Sequence, residues 1–338
     1  MNKDMHLSSK LFAKDVNQEP TRDGFGKGLL EAGRKNKNVV GISADLTEST
    51  RMNLFADEFP ERAFNTGVAE QNLATMAAGM TALGKIPFVS SYATFSPGRN
   101  WEQIRTTICI NDRNVKIVGS HAGVSVGPDG ATHQALEDIA TMRVMPNMVV
   151  IYPADAVEAK KATVEAAKNG KPTYLRFARE NTPQFSTEDT PFKIGEAITL
   201  WDPSAGSGPH GDPQVAIVAA GPLVYEALLA ARELSKKKID VLVINSHTIK
   251  PLDEQAIIKA AKLTGAVVTV EEAQAAGGLG GAVTETLAKN FPVPIEFIGV
   301  QDHFGESGKP EELLKKFGLK SENIIDAVKK VIGRKNRS

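Results

Sequence analysis

Four segments gather the residue types able to do chemistry: SADLTEST (Ser43–Thr50), NTGVAEQN (Asn65–Asn72), SSYATFSPGR (Ser90–Arg99) and SHAGVSVGPDGATHQ (Ser120–Gln134). Glu70 follows a short strand signal (Arg62–Thr66) and opens an Ala-rich helix. A carboxylate there either complements the helix dipole or shares a proton with a ligand. Tyr92 and Phe95 offer core packing near a strand end, or flat faces on which a planar ring stacks. His121 and His133 stand twelve positions apart. No third ligand lies near them, which disfavours a metal. Proton transfer near working pH and plain hydrogen-bonded loop histidines are the alternatives. Asp45 suits a strand-end turn, Arg22 a helix start and Arg179 an ion pair.

These loops need strands and helices to hold them. In the first half the strand signals are Asn38–Ala44, Ile86–Ala93, Val115–His121, Met148–Pro153 and Pro172–Phe177. Helical patterns lie between them at Arg22–Lys35, Ala69–Leu83, Pro97–Asn111, Gln134–Met142 and Ala156–Asn169. Such alternation implies parallel sheets with helices on both faces. Ligands of α/β proteins bind at the carboxyl ends of such strands, which is where the histidine-bearing loop falls. A polar stretch, Glu180–Thr190, marks a boundary. The second half restarts with strands at Gly195–Leu200 and Val215–Ala220, separated by a loop with three Pro and three Gly. Helix Pro222–Lys237 presents Val224, Leu228, Ala231 and Leu234 on one face. Strands Val241–Asn245, Ala266–Glu271 and Ile295–Gly299 follow. The expected architecture is α/β, two successive three-layer α/β domains. Residues 1–20 are read as an arm, 21–185 as the first domain, 186–194 as a linker and 195–338 as the second.

Composition narrows the function class. Among 338 residues, Lys+Arg and Asp+Glu are 40 each, and hydrophobic residues make up 41%. Enough apolar surface exists to fold, so disorder is excluded. The balanced charge gives no warrant for binding nucleic acid or an anionic membrane. A single cysteine, Cys109, rules out an internal disulfide and any multi-cysteine metal site. No signal peptide or membrane span is evident, so the expected location is cytoplasmic. GGLGGAV (Gly277–Val283) invites a dinucleotide reading, but Val283 stands where the third Gly of that pattern belongs, so a structural turn is expected. GFGKG (Gly24–Gly28) follows no strand and is weaker still.

Taken together, G-V-A-E-Q, Y-A-T-F and D-G-A-T-H-Q make the chain resemble the thiamine-diphosphate enzymes of the transketolase family. The likeness runs from about Thr21 to the last helix. It is greatest to the C-terminal subunit of transketolases split into two chains. It implies a pyrimidine-binding domain followed by the transketolase C-terminal domain. It implies Glu70 on the cofactor's aminopyrimidine, Tyr92 and Phe95 against that ring, and Asp45 in the cofactor site. It places His121 and His133 on the sugar's hydroxyls and carbonyl region, as catalytic groups, and Asp129 on a substrate hydroxyl. Arg22, Ser49 and Arg179 are implied as sugar-phosphate contacts. Ser96–Arg99 departs from single-chain transketolases, which leaves the role of Arg99 open.

No G-D-G occurs in the chain, so the family's metal-diphosphate motif is missing. The resemblance then implies no metal ligand here. It implies a partner N-terminal subunit carrying G-D-G…N and Mg2+ or Ca2+, in a heterotetramer of two copies of each chain. The implied activity is transfer of a two-carbon ketol unit from a ketose phosphate to an aldose phosphate, as in the pentose phosphate pathway. Three other readings compete. A 2-oxoacid dehydrogenase beta subunit typically lacks the segment bearing Asp129 and His133. A 1-deoxyxylulose-5-phosphate synthase is normally one longer chain with its own metal motif. A non-catalytic regulatory homologue would be expected to lose Glu70 or the histidines.

Overall fold

Continuous apolar runs become strands buried on both faces, and they assemble into two main sheets. The structure, a computed structural model, describes residues 2–204 and 212–336. The Pro- and Gly-rich loop between Trp201 and Gln214 lies partly outside the described residues. In chain order the strands are β1 (Gln18–Pro20), β2 (Val39–Ser43), β3 (Ala63–Asn65), β4 (Ile86–Tyr92), β5 (Lys116–Ser120), β6 (Val149–Ile151), β7 (Thr173–Arg176) and β8 (Asn181–Pro183). They continue with β9 (Ile198–Trp201), β10 (Val215–Ala219), β11 (Val241–Asn245), β12 (Thr248–Lys250), β13 (Val267–Gln274) and β14 (Ile295–Val300). One sheet has seven strands in the order β12-β6-β7-β5-β4-β2-β3, the other five in the order β14-β13-β10-β11-β9. Both are parallel except at one edge each, where β12 and β9 run antiparallel. The expected three-layer α/β domains are therefore present.

Each face of the first sheet is covered by helices whose small residues allow close approach. Helix Thr21–Lys35 packs on helix Ala156–Ala166, with Gly24 and Gly28 set against its backbone. The GFGKG segment thus serves helix packing. Phe25, Leu29, Val39, Phe88 and Leu175 fill that side. Helix Glu70–Thr81 covers the opposite side through Leu73, Ala74 and Ala77, against Ile42, Val89 and Ile117. This second cluster continues into Ile244, Ile249 and Ala260 of the second half. The two sheets therefore share a core.

Several expectations are corrected. Pro97–Asn111 is not one α-helix: residues 94–100 are turns, followed by Trp101–Gln103 and a π-helical Ile104–Cys109. The turn is so tight that a Cβ at Gly98 would lie 1.9 Å from the carbonyl oxygen of Thr94. The helix expected over Gln134–Met142 begins only at Asp138. Gln134 instead uses its side-chain amide to bind the carbonyls of Val124, Gly127 and Glu306. Three short strands carry no sequence signal. β1 arises within the expected arm and pairs with β8, in the stretch read as a boundary. β12 leaves the second half to extend the first sheet.

A buried ion cluster joins the halves. Arg176, fully buried on β7, donates from Nε to Asp138 at 2.7 Å. Its Nη2 reaches the carbonyls of Ala135 (3.1 Å) and of Glu272 (3.0 Å) on β13. Its guanidinium carbon sits 4.4 Å from the Tyr152 ring centroid, and Tyr174 donates to the same Asp138 oxygen at 2.6 Å. Removing one member of such a pair leaves a buried charge unmatched. Asp138→Ala should therefore cost about 3–5 kcal/mol, with Asp138→Ala/Arg176→Met recovering part of the loss. Urea denaturation checks this: a double variant no more stable than the single would contradict it.

Candidate active site

Adjacent parallel strands deliver the chemistry. The carboxyl ends of β2, β4, β5 and β7 lie side by side, and they lead into Asp45, Tyr92, His121 and Arg179 respectively. Edge strand β3 leads into Gly67, whose φ of +68° turns the chain so that Glu70 opens its helix. The unexpected β1–β8 pair completes the corner. The backbone amide of Ala178 donates to the Thr21 hydroxyl at 2.7 Å, and the Thr182 hydroxyl donates to the Glu19 carbonyl at 2.8 Å. These bonds hold Arg22 and Arg179 near one another.

Glu70 is buried among polar partners. Asn100 donates to its backbone carbonyl at 3.0 Å. The Ser91 hydroxyl lies 3.4 Å from one carboxylate oxygen, and Arg99 Nη1 lies 3.4 and 3.3 Å from the two oxygens. The Arg99 guanidinium stacks over Phe95, 4.3 Å from its centroid. Phe95 in turn lies 6.0 Å from Tyr92 with nearly parallel rings. Ser91 and Arg99 flank the carboxylate and Asn100 holds the Glu70 backbone, roles that their types in sequence did not single out. The available signal was the place of Ser91 and Arg99 in the segment bearing Tyr92 and Phe95, which Asn100 directly follows.

The histidines differ. His121, with φ of +56°, is buried and stacks on Tyr92 at 3.9 Å. Arg22 Nη1 lies 3.1 Å from its Nε2. A guanidinium can only donate, so Nε2 accepts and the proton sits on Nδ1, donating to Ser120 Oγ at 2.9 Å. Burial, then the charges of Arg22, Arg179 and Arg51, push His121 down to about 3. This corrects the expectation that both histidines titrate near working pH: His121 is a neutral ring. His133 is half-buried, edge-on to Phe95 at 5.3 Å and to Tyr92 at 6.2 Å. Its Nδ1 meets the Thr132 hydroxyl at 2.9 Å. Gln134 and the Arg176 contact to Ala135 fix the loop that carries it.

The implied phosphate contacts cluster, with changes of detail. Arg22 donates to the backbone carbonyl of Ser49 at 2.9 Å rather than to its hydroxyl. Burial and Arg51 lower its pKa. Arg51, just beyond the SADLTEST segment, pairs with Asp23 and adds a third cation. Arg179 binds the Val126 carbonyl and Asp129, each at 3.1 Å. Asp129 and Arg179 thus satisfy one another, whereas the resemblance implied a sugar contact for each. Asp45 contacts Asn65, whose side chain accepts from the Asp45 amide and donates to its carboxylate. These bonds tie Asp45 to the end of β3 rather than to Glu70 or the histidines. The GGLGG turn is occupied from within: Glu271 accepts from the amides of Leu279 and Gly280, both at 2.8 Å.

The pH response of His121 follows from its burial. Its folded pKa lies below the ordinary value of 6.5. The unfolded chain therefore binds a proton that the native chain refuses as pH falls from 6.5 toward 3, and stability is lost across that window. His247, buried and pushed down to about 4, acts in the same direction. Ring chemical shifts of His121 should stay those of a neutral imidazole from pH 5 to pH 8, as about 3 requires. A midpoint near 6.5 would refute this assignment.

Comparison with known proteins identifies the family. Residues 18–184 match the transketolase pyrimidine-binding domain, and residues 209–324 match the transketolase C-terminal domain. The 6-deoxy-6-sulfo-D-fructose transketolase subunit SqwH of Clostridium sp. (strain MSTE9) is 39% identical, over 93% of this chain and 95% of its own length. An apulose-4-phosphate transketolase subunit of Phocaeicola vulgatus is 37% identical, over 90% and 94%. A solved structure of a split gene transketolase, an inactive beta4 tetramer, superposes with a TM-score of 0.85 at 43% identity, covering 93% of this chain and 98% of its own. The chain belongs to the transketolase family and corresponds to the C-terminal section of its split members.

Proposed function

We propose that this chain is one half of a two-chain transketolase, and that its site binds the aminopyrimidine of thiamine diphosphate. The carrying observation is the buried Glu70 carboxylate beside the Phe95 face, linked through Phe95 and Tyr92 to His133 and His121, with three arginines near His121. The residues fit the ring. A planar guanidinium already lies on Phe95 and against Glu70, so that space accepts a flat group bearing nitrogen. When bound, thiamine diphosphate supplies the carbon nucleophile for breaking and remaking a carbon–carbon bond beside a carbonyl. The diphosphate and its Mg2+ or Ca2+ fall to an N-terminal partner, because no G-D-G exists here. The assembly is a heterotetramer of two copies of each chain.

Each side chain then has a defined task. Glu70 shares a proton with the ring nitrogen, and Phe95 and Tyr92 orient the ring by stacking. His121, neutral, holds a substrate oxygen once Arg22 yields its Nε2. His133 moves the hydroxyl proton as the substrate bond breaks. Asp129 takes a substrate hydroxyl when Arg179 turns to the anion. Arg22, Arg51 and Arg179 suit a sugar with a terminal anion. The two relatives' names specify a sulfo and a phosphate group, which share that feature. Among the described residues no helix is long and apolar enough to cross a membrane, and we place the enzyme in the cytoplasm.

The donor is a ketose phosphate and the acceptor an aldose phosphate, in carbohydrate metabolism of the pentose phosphate type. Xylulose 5-phosphate and ribose 5-phosphate are the pair to assay, with thiamine diphosphate and magnesium. Activity is expected from the mixture with the G-D-G-bearing subunit and from neither chain alone. Glu70→Ala should lower turnover at least about 100-fold in the assembled enzyme. Near wild-type turnover of that variant would remove Glu70 from the reaction.

A further inference from the structure

The contact between Arg99 and Glu70 combines two features that a bound ring would need at the same place. The guanidinium covers the Phe95 face at 4.3 Å, and it pairs with the Glu70 carboxylate at 3.3 and 3.4 Å. A guanidinium is flat, delocalised and bordered by N–H groups, as an aminopyrimidine is at a ring nitrogen that shares the carboxyl proton. Only one planar group can lie on that face of Phe95 and against that carboxylate at a time. Glu70's side chain is 2% exposed, so its charge needs a counter-charge when no ligand is present. Arg99's side chain is 52% exposed and free to leave toward solvent. The pairing distances exceed the roughly 2.7–2.9 Å of a strong charge-assisted bond, as expected of a contact made to be exchanged.

We propose that Arg99 is a placeholder for the aminopyrimidine, occupying its face on Phe95 and its carboxylate partner until the cofactor displaces it. This rests on the assignment of Glu70 and Phe95 to the ring. It goes further by making cofactor entry a competition within this chain. The turn that carries Arg99 supports such a swing. Its neighbour Gly98 closes the turn against Thr94, so the backbone stays anchored while the side chain moves. A groove lined by Thr94, Gly98, Trp101 and Thr141 lies beside it, which puts Trp101 in position to report the change.

The test is calorimetric titration of thiamine diphosphate, with magnesium, into the chain assembled with its G-D-G-bearing subunit. Trp101 fluorescence provides a second readout, and thermal melts confirm folding of each variant. Arg99 is half-exposed and its ion pair with the buried Glu70 is long, so its loss removes a modest competitor and Arg99→Ala should bind about three- to tenfold more tightly. Arg99→Lys keeps the charge without the flat face and should fall between the two. Unchanged or weaker binding by Arg99→Ala would overturn the placeholder. Weaker binding would make Arg99 a positioning partner of Glu70 in the loaded site. Glu70→Gln and Phe95→Ala separate the two failures. Both should weaken binding, and if neither does, the ring-site assignment is what fails.

Discussion

The Arg176 guanidinium is the constraint on which the rest of the structure depends. It stands on β7, inside the first sheet, yet its Nη2 binds both a carbonyl of the histidine-bearing loop and a carbonyl of β13 in the second sheet. Glu272, the residue whose carbonyl it holds on β13, turns its own carboxylate to the amide of Ser125 at 2.7 Å. That amide opens the turn between His121 and His133. Thus one buried cation sets both ends of the loop against the second domain. Burying such a cluster is costly, and the bonds that offset the cost form in one geometry, with Arg176 Nη1 and one Asp138 oxygen left without a partner among the described residues. The cluster therefore specifies one arrangement of the two domains and one position of the histidines.

From that frame follows a site that is finished on one side and open on the other. Three arginines, a neutral His121 and a carboxylate with an aromatic neighbour line the ends of four strands. The sequence holds no G-D-G of the kind that grips a metal and its diphosphate in this family. On the proposed reading the chain orients a ring and a sugar, and a second surface holds the rest of the cofactor. Relatives covered nearly end to end that are named as subunits fit such a division.

Much of this is legible in the residues alone. Buried parallel strands announce themselves as unbroken apolar runs, as in Val215–Ala219, and the alternation with helices follows. The segments bearing Glu70, Tyr92 and His133 stand out because several reactive types sit close together. What escapes has physical reasons. β1, β8 and β12 are three residues long and lack the apolar run that marks the equally short β6, and they exist because tertiary partners supply their hydrogen bonds. Pro97–Asn111 departs from its helical pattern because Gly98 permits a closer turn than pattern shows. The depressed His121 leaves no trace in the sequence, since it comes first from burial and then from Arg22, Arg179 and Arg51, brought from three separate segments.

The central claim is that this chain holds the ring and a partner holds the diphosphate. A structure of the assembled enzyme with thiamine diphosphate tests it most directly. The aminopyrimidine is expected against Phe95 and within hydrogen-bond reach of Glu70, with Arg99 turned away and the diphosphate and metal held by the partner. A diphosphate gripped by residues of this chain, or a ring bound away from Glu70, would contradict it.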